Sequence, residues 1–293
     1  MPSIKNLPQD EFEEAFDDPL AKYYRMPGVH VRLPTEGAFM PPGSVEFTMN
    51  DDIPVYPMRA ADELLLKSPD SLMSGFAVEQ LIKSCVPAIK APRLISSPDL
   101  DVLLLAIRAA TYGEMLTVSP VCPVCGKEGE THVNLSSIMA TSKTIPPENP
   151  VRLSDEVIAY LRPYNMDNAT RIGMASFEEA RKVQATEEAD EKTRTTQINE
   201  SMQRIVGLSM DVLSACVLRV VVAEGEVSDP HSIHKFILNV SKAWIDKLND
   251  KMDEINAMGI DKHYPVICAD LACSHEWKAE IEFNPSTFFA SAS

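Results

Sequence analysis

Two short turns bounded by cysteines organise this chain: Cys122-Pro123-Val124-Cys125 and Cys268-Ala269-Asp270-Leu271-Ala272-Cys273. Each turn leads into a segment with strand character, Glu130 to Leu135 after the first and Trp277 to Phe283 after the second. In the second segment apolar side chains alternate with charged ones, which is the period of a strand with one buried face. The chain therefore uses one plan, a cysteine turn followed by a strand, at two distant places.

The two turns together supply four thiolates, from Cys122, Cys125, Cys268 and Cys273. Four sulfurs satisfy tetrahedral Zn²⁺ and leave no position for water, and such closed sites are structural, not catalytic. The 142 residues between the pairs far exceed the roughly 15 to 20 of a continuous ribbon. We predict one split zinc ribbon, in which His263 or His275 could replace one sulfur. The alternative is four ordinary reduced cysteines in turns.

The other two cysteines, Cys85 and Cys216, sit in apolar helical stretches, where a thiol packs as a small hydrophobe. The first residues show no basic segment followed by an apolar run. With six cysteines and no such segment in its first residues, the chain is expected to have reduced thiols and to bind metal in preference to forming disulfides.

The charge balance narrows the choice of partners. The chain has 27 basic and 43 acidic residues, for a net charge of -16. Association with nucleic acid depends on neutralising phosphates with Lys and Arg, so we expect no nucleic-acid partner. No stretch reaches the 18 apolar residues of a membrane span, so we also expect no membrane partner. An acidic balance suits selective docking onto other proteins.

The pattern along the chain predicts four parts. Residues 1–28 read as a flexible acidic arm that carries Phe12 and Phe16, and residues 29–120 as an α+β domain. In that domain, strands are predicted at Val29 to Leu33, Ser44 to Met49 and Ile53 to Met58, and helices at Arg59 to Lys67, Phe76 to Cys85 and Ser97 to Tyr112. The last helix is apolar almost all round, which predicts a central position in the core.

Residues 121–145 and 262–293 form the two halves of the predicted ribbon, and residues 146–261 lie between them. This insert begins with strands at Val151 to Leu153 and Val157 to Leu161. A first long helix is predicted to start at the capping box Ser176-x-x-Glu179 and to end near Cys216. A second runs from Asp229-Pro230 to near Gly259. We expect the two helices to pair as an antiparallel hairpin that brings the ribbon halves together.

The fold class expected from these elements is α+β. The chain should be mainly helical, with a small N-terminal β region and a split zinc ribbon interrupted by a long helical hairpin. No phosphate-binding loop, metalloprotease helix or nucleophile elbow is present in the sequence. His231 and His234 share a helix start, where solvated histidines are the simpler interpretation. We therefore predict no catalytic residue, no cofactor-binding residue other than the zinc ligands, and no enzymatic activity.

Several ordered segments that run into the first cysteine turn carry a family resemblance: Val31 to Gly37, Val55 to Glu63, Leu81 to Val86 and Leu100 to Gly113. With the terminal cysteine pair, they resemble the baseplate hub proteins of T-even-type contractile phage tails. The resemblance implies a non-enzymatic hub component that acts through protein contacts in baseplate assembly. Its partners would be other tail or baseplate proteins, with the tape-measure protein as one candidate.

The same resemblance implies a location in the virion tail, or in the host cytoplasm during assembly. Two alternatives stay open. One is an assembly chaperone for hub or tape-measure proteins that is absent from the mature virion. The other is a zinc-ribbon regulatory protein. The helical hairpin or the acidic arm is the predicted contact with another tail protein.

Overall fold

Hydrophobic side chains collect into two separate cores, and the helices and strands are arranged around them. The computed structural model describes residues 20, 23–186, 190–281 and 288–289. In this part of the chain the fold is α+β, as predicted from the sequence. The first core contains residues from 31 to 139, Met166 and residues near the C-terminal end, and the second contains residues from 145 to 255.

The first core is built around one long helix. Its elements are β1 (Val29–Val31), β2 (Ile53–Val55), α1 (Ala60–Leu66), α2 (Pro69–Met73), α3 (Phe76–Cys85) and α4 (Ser97–Tyr112). Helix α4 is capped by Ser96, whose side chain accepts a hydrogen bond from the Asp99 amide, and it ends at Gly113 with a φ of 89°. Residues 102–107 are each at most 4% exposed, which confirms the predicted central position.

Two β-hairpins complete the first core. The first pairs β3 (Met115–Val118) with β4 (Thr131–Asn134), and the second pairs β9 (His263–Ile267) with β10 (Glu276–Glu280). The buried side chains of each hairpin join the core that surrounds α4: Leu116, Val133, Tyr264 and Val266. A short helix, α5 (Leu135–Met139), follows β4 directly.

The second core is an antiparallel sheet covered by helices. The strands are β5 (Asn149–Arg152), β6 (Ile158–Leu161), β7 (Val217–Val222) and β8 (Gly225–Val227), in the order β5-β6-β7-β8. The helices are α6 (Met166–Gln184), α7 (Glu191–Cys216), α8 (Pro230–Asn239) and α9 (Lys242–Ala257). Leu161, Leu213 and Leu248 are among the residues that pack between sheet and helices.

The two ends of this insert lie side by side. The Lys143 amide donates to the Gly259 carbonyl at 2.8 Å, and the Asp261 amide donates to the Thr141 hydroxyl at 2.7 Å. The first and last residues of the insert therefore join the rest of the chain at one place. This closure explains how cysteines 142 residues apart in sequence can share a site.

Half of the sheet in the insert was not predicted from the sequence. Strands β7 and β8 were not predicted, and β7 follows α7 without an intervening loop. The cause is a mostly apolar run from Val212 to Val222, interrupted only by Ser214 and Arg219, because periodicity alone does not separate a buried helix from a buried strand. The β-branched residues of its second part form the strand.

The predicted start of the first long helix is wrong. Helix α6 begins ten residues before Ser176 and runs through that position. Its cap is Asn165, which accepts a hydrogen bond from the Asn168 amide at 2.9 Å, and the Asn168 side chain accepts one from the Asn165 amide at 3.3 Å. The capping box is thus made by two asparagines, and Ser176 lies on an exposed part of the helix.

The helical hairpin also has different partners from those predicted. Helix α6 pairs with α7, and α8 packs on another part of α7. The predicted second long helix is two helices, because the chain breaks at Val240 and Ser241 before α9 begins. The insert is therefore an α+β unit that contains a helical hairpin, not a hairpin alone.

The remaining predictions concern one strand of the first domain and residues near the two ends of the chain. The predicted strand Ser44 to Met49 contributes only one bridge, between Val45 and Ile89. Phe12 and Phe16 of the acidic arm, and Phe283 of the last predicted strand, lie outside the described residues. Within residues 1–28, Arg25 is anchored: its guanidinium donates to the Pro57 carbonyl at 2.6 Å.

Candidate metal centre

Each cysteine pair occupies the loop of a β-hairpin. Cys122 and Cys125 lie between β3 and β4, and Cys268 and Cys273 lie between β9 and β10. Only the second strand of each hairpin was predicted from the sequence. The alternation of Leu116 with Thr117, and of Tyr264 with Pro265 and Val266, was the available signal for the first strands.

The two loops have equivalent backbone geometry although their lengths differ. The Cys122 amide donates to the Lys127 carbonyl at 2.9 Å, and the Cys268 amide donates to the His275 carbonyl at 2.8 Å. In both loops the acceptor lies two residues after the second cysteine. The residue directly after that cysteine has a positive φ in both loops, 71° at Gly126 and 45° at Ser274.

Backbone amides point at the sulfurs in both loops. The amides of Val124 and Cys125 donate to the sulfur of Cys122. In the second loop, the Asp270 amide donates to Cys268 and the His275 amide donates to Cys273. Such donors stabilise negative charge on sulfur, so both loops are shaped to hold thiolates.

The four sulfurs meet at one point between the hairpins. The Sγ atoms of Cys122, Cys125, Cys268 and Cys273 all lie within 4.8 Å of one another. Cys122 Sγ is 3.9 Å from Cys273 Sγ, and Cys125 Sγ is 3.5 Å from Cys268 Sγ. A tetrahedral metal with bonds of about 2.3 Å to sulfur requires sulfur–sulfur edges of roughly 3.8 Å. The donor set and its spacing therefore fit a tetrahedral thiolate-bound metal ion.

The pKa values of the thiols diverge because the sulfurs are so close. Burial alone raises the pKa of Cys122, but the amides of Cys125 and Val124 lower it to about 7. The Asp270 amide lowers the pKa of Cys268, but burial and the neighbouring sulfurs raise it to about 12. One thiolate thus hinders ionisation of the next. A bound dication removes this repulsion, and its binding releases the remaining protons.

An ion pair that was not predicted from the sequence joins the two cysteine loops. Lys127 Nζ lies 2.6 Å from a carboxylate oxygen of Asp270, so each loop contributes one charge. Nearby, a Cβ added at Gly129 would stand 3.2 Å from the Ala269 Cβ. The two hairpins therefore approach closely at a position where the chain has glycine.

The two histidines considered as substitutes, His263 and His275, have other contacts, and so does His234 of the helix-start pair. His263 Nδ1 lies 3.0 Å from Asp261 at the end of β9 away from the cysteine loop. His275 stacks on Trp277, with ring centroids 5.9 Å apart. His234, at the start of α8, is 2.9 Å from Asp211 on α7. None of these rings joins the four-sulfur cluster.

Cys85 and Cys216 are core residues, as the sequence indicated. Both are fully buried, and burial raises the pKa of Cys85 to about 11 and that of Cys216 to about 12. Among the described residues, the four-cysteine cluster is the group of side chains that could hold a metal ion. In the same part of the chain, no helix is both long and apolar enough to cross a bilayer.

Comparison with known proteins identifies the family. The family described as T4 bacteriophage base plate protein matches residues 49–290, a range that includes both cysteine loops and the whole insert. Searches of curated proteins and of solved structures gave no match. Because the matched range covers most of the chain, this protein belongs to the T4 bacteriophage base plate protein family.

Proposed function

We propose that the protein is a non-enzymatic subunit of the baseplate hub, in which a structural zinc ion fastens the two cysteine hairpins to each other. Membership in the baseplate family supports the location in a phage tail. The observation that carries the proposal is the closed set of four sulfurs at the junction of two chain segments. A site with four protein ligands has no position for substrate or water, which favours a structural role.

Cys122, Cys125, Cys268 and Cys273 would hold the zinc, which supplies a cross-link and no reaction. This link closes the long loop formed by the insert and limits the unfolded ensemble. The division into an arm (1–28), an α+β domain (29–120), a split ribbon (121–145 and 262–293) and an insert (146–261) stays our proposal for the domain organisation.

The partners in this proposal are other tail or baseplate proteins, with the tape-measure protein as one candidate. The net charge of -16 supports docking onto proteins in preference to nucleic acid. It also predicts that partner surfaces carry Lys and Arg, because complementary charge steers association.

Quantitative mass spectrometry of purified particles beside the cleared lysate tests the proposal. The chain should be present in particles in a fixed ratio to a known baseplate protein. Abundance in the lysate with absence from particles would replace the subunit by an assembly chaperone. Absence from both tail particles and tail-assembly intermediates would favour the regulatory alternative.

A further inference from the structure

Four large aliphatic side chains stand exposed around the sulfur cluster. Val121 is 60% exposed, Val124 67%, Ile267 65% and Leu271 93%. Val121 and Ile267 directly precede the first cysteine of each loop, and the other two lie inside the loops. We call these four residues the apolar tip. Each hairpin contributes one residue before its first cysteine and one inside its loop. The cysteine cluster brings the two loops together.

Exposed aliphatic residues grouped in this way mark interaction surfaces more often than scattered ones do. The hairpins bury their other apolar side chains in the first core, where Leu116, Val133 and Val266 are each at most 6% exposed. The apolar tip therefore faces away from the core of its own chain. No described segment of the chain covers it.

Acidic residues flank the tip in matching positions. Glu128 is paired with Val121, and Glu276 is paired with Ile267. Residues directly opposite in an antiparallel pair point to the same face, so each glutamate stands beside an aliphatic residue of the tip. Among the described residues neither glutamate forms an ion pair, whereas Lys127 is already paired with Asp270. The surface is thus apolar with an unneutralised acidic rim.

The size and charge of the tip favour a different protein over a second copy of this chain. A stable dimer buries about 800 Å² on each partner, more than four aliphatic side chains can supply. Two copies placed tip to tip would also bring their glutamates together. A small apolar anchor suits an assembly in which further contacts share the binding.

We propose that the apolar tip inserts into an apolar pocket rimmed by Lys or Arg on another baseplate subunit. This inference rests on the proposed function, because it assumes that the chain is incorporated into baseplates. It adds the surface and the chemistry of the partner. Val124 and Leu271 are the central anchors, and Glu128 and Glu276 select the basic rim.

The test is incorporation into particles made without the native protein. An infection that lacks this gene is complemented with the full chain, either unchanged or as the Val124→Ser, Leu271→Ser double variant. Incorporation is measured by mass spectrometry relative to a known baseplate protein. The double variant should be incorporated about tenfold less or worse, as expected when apolar anchors are truncated. Its zinc content and melting temperature should match those of the unchanged chain.

A matched control is Leu64→Ser, which removes an aliphatic residue that is 68% exposed on α1, outside the tip. This variant should be incorporated normally. The Glu128→Lys, Glu276→Lys pair is a second test that leaves the cysteine loops intact, and it should also lower incorporation. A photo-crosslinking residue at position 271 should join the chain to another baseplate protein, next to Lys or Arg.

Two results would overturn the inference while the proposed function stands. One is normal incorporation of the double variant, and the other is a crosslink between two copies of this chain. If the unchanged chain itself is absent from particles, the proposed function fails and the inference fails with it. The unchanged chain therefore separates the two kinds of failure.

Discussion

At the scale of single residues, the cysteine cluster depends on backbone amides and on an ion pair as well as on the four cysteines. Amides at Val124, Cys125, Asp270 and His275 donate to the sulfurs, and the ion pair of Lys127 with Asp270 spans the loops. The pKa values of Cys122 and Cys268 differ because adjacent thiolates repel. A bound dication would favour ionisation of all four thiols, because its charge offsets this repulsion.

Replacement of one ligand should therefore release the metal. In Cys122→Ser or Cys268→Ser, zinc should fall from about one ion per chain towards zero, and the melting temperature should fall with it. Metal analysis and thermal unfolding measure the two effects. Cys85→Ala is the control, because this buried thiol belongs to the core: it should lower stability and leave zinc unchanged. Zinc-free native protein with the same melting temperature as the variants would refute the metal site.

Glu179 gives a prediction about pH. Its carboxylate accepts a hydrogen bond from Lys182 Nζ at 2.6 Å and forms an ion pair with an Arg204 nitrogen at 2.9 Å. Lys182 first, and then Arg204 and Ser201, lower the pKa of Glu179 to about 2. A lowered folded-state pKa means that the ionised group stabilises the fold above the ordinary value of 4.5, and that this stability is lost as pH falls towards 2.

Glu179→Gln should thus lower the melting temperature at pH 7 and flatten its decline between about pH 4.5 and pH 2. Thermal unfolding at several pH values checks this. Glu178→Gln, at an exposed neighbouring position, is the control and should follow the native profile. If the melting temperature of Glu179→Gln declined at low pH as steeply as that of the native protein, the ion pair between Glu179 and α7 would not contribute to stability.

At the scale of elements, the start of α6 can be tested against the start that the sequence suggested. Asn165→Ala removes the observed cap and should destabilise the protein by about 1 kcal/mol. Ser176→Ala changes an exposed position inside the helix and should be neutral or slightly stabilising, because Ala has the higher helix propensity. Chemical denaturation of both variants measures the difference. A larger loss in Ser176→Ala would contradict the observed helix boundary.

The elements also show what could be predicted from sequence and what could not. Local signals were sufficient for α3, for α4 and for the cysteine turns, because capping residues, glycines and fixed spacings act over a few residues. They failed for β7, where one apolar run changes from helix to strand, and for the partner of α7, which depends on contacts distant in sequence. The meeting of the cysteines was predicted, but the hydrogen bonds that close the insert at Lys143 and Asp261 required the structure.

At the scale of the whole molecule, the two cores differ in their relation to the metal. Both cysteine hairpins pack on the first core, and the second core is formed by residues from 145 to 255. The two regions contact each other where the insert closes, at Lys143 with Gly259. They also contact each other at the start of α6, where the Met166 amide donates to the Ile95 carbonyl at 2.9 Å. A metal ion that joins these two hairpins should therefore stabilise the first core more than the second.

Removal of zinc by a chelator should reveal this difference by hydrogen exchange. Amides in β3, β4, β9 and β10 should lose protection, since their loops are no longer joined and local opening becomes less costly. Amides in β7, the strand Val217–Val222 at the centre of the other core, should keep theirs. Re-addition of zinc should restore the hairpins. An equal loss of protection in β7 and in the hairpins would show instead that the two cores unfold as one cooperative unit and that the metal stabilises both.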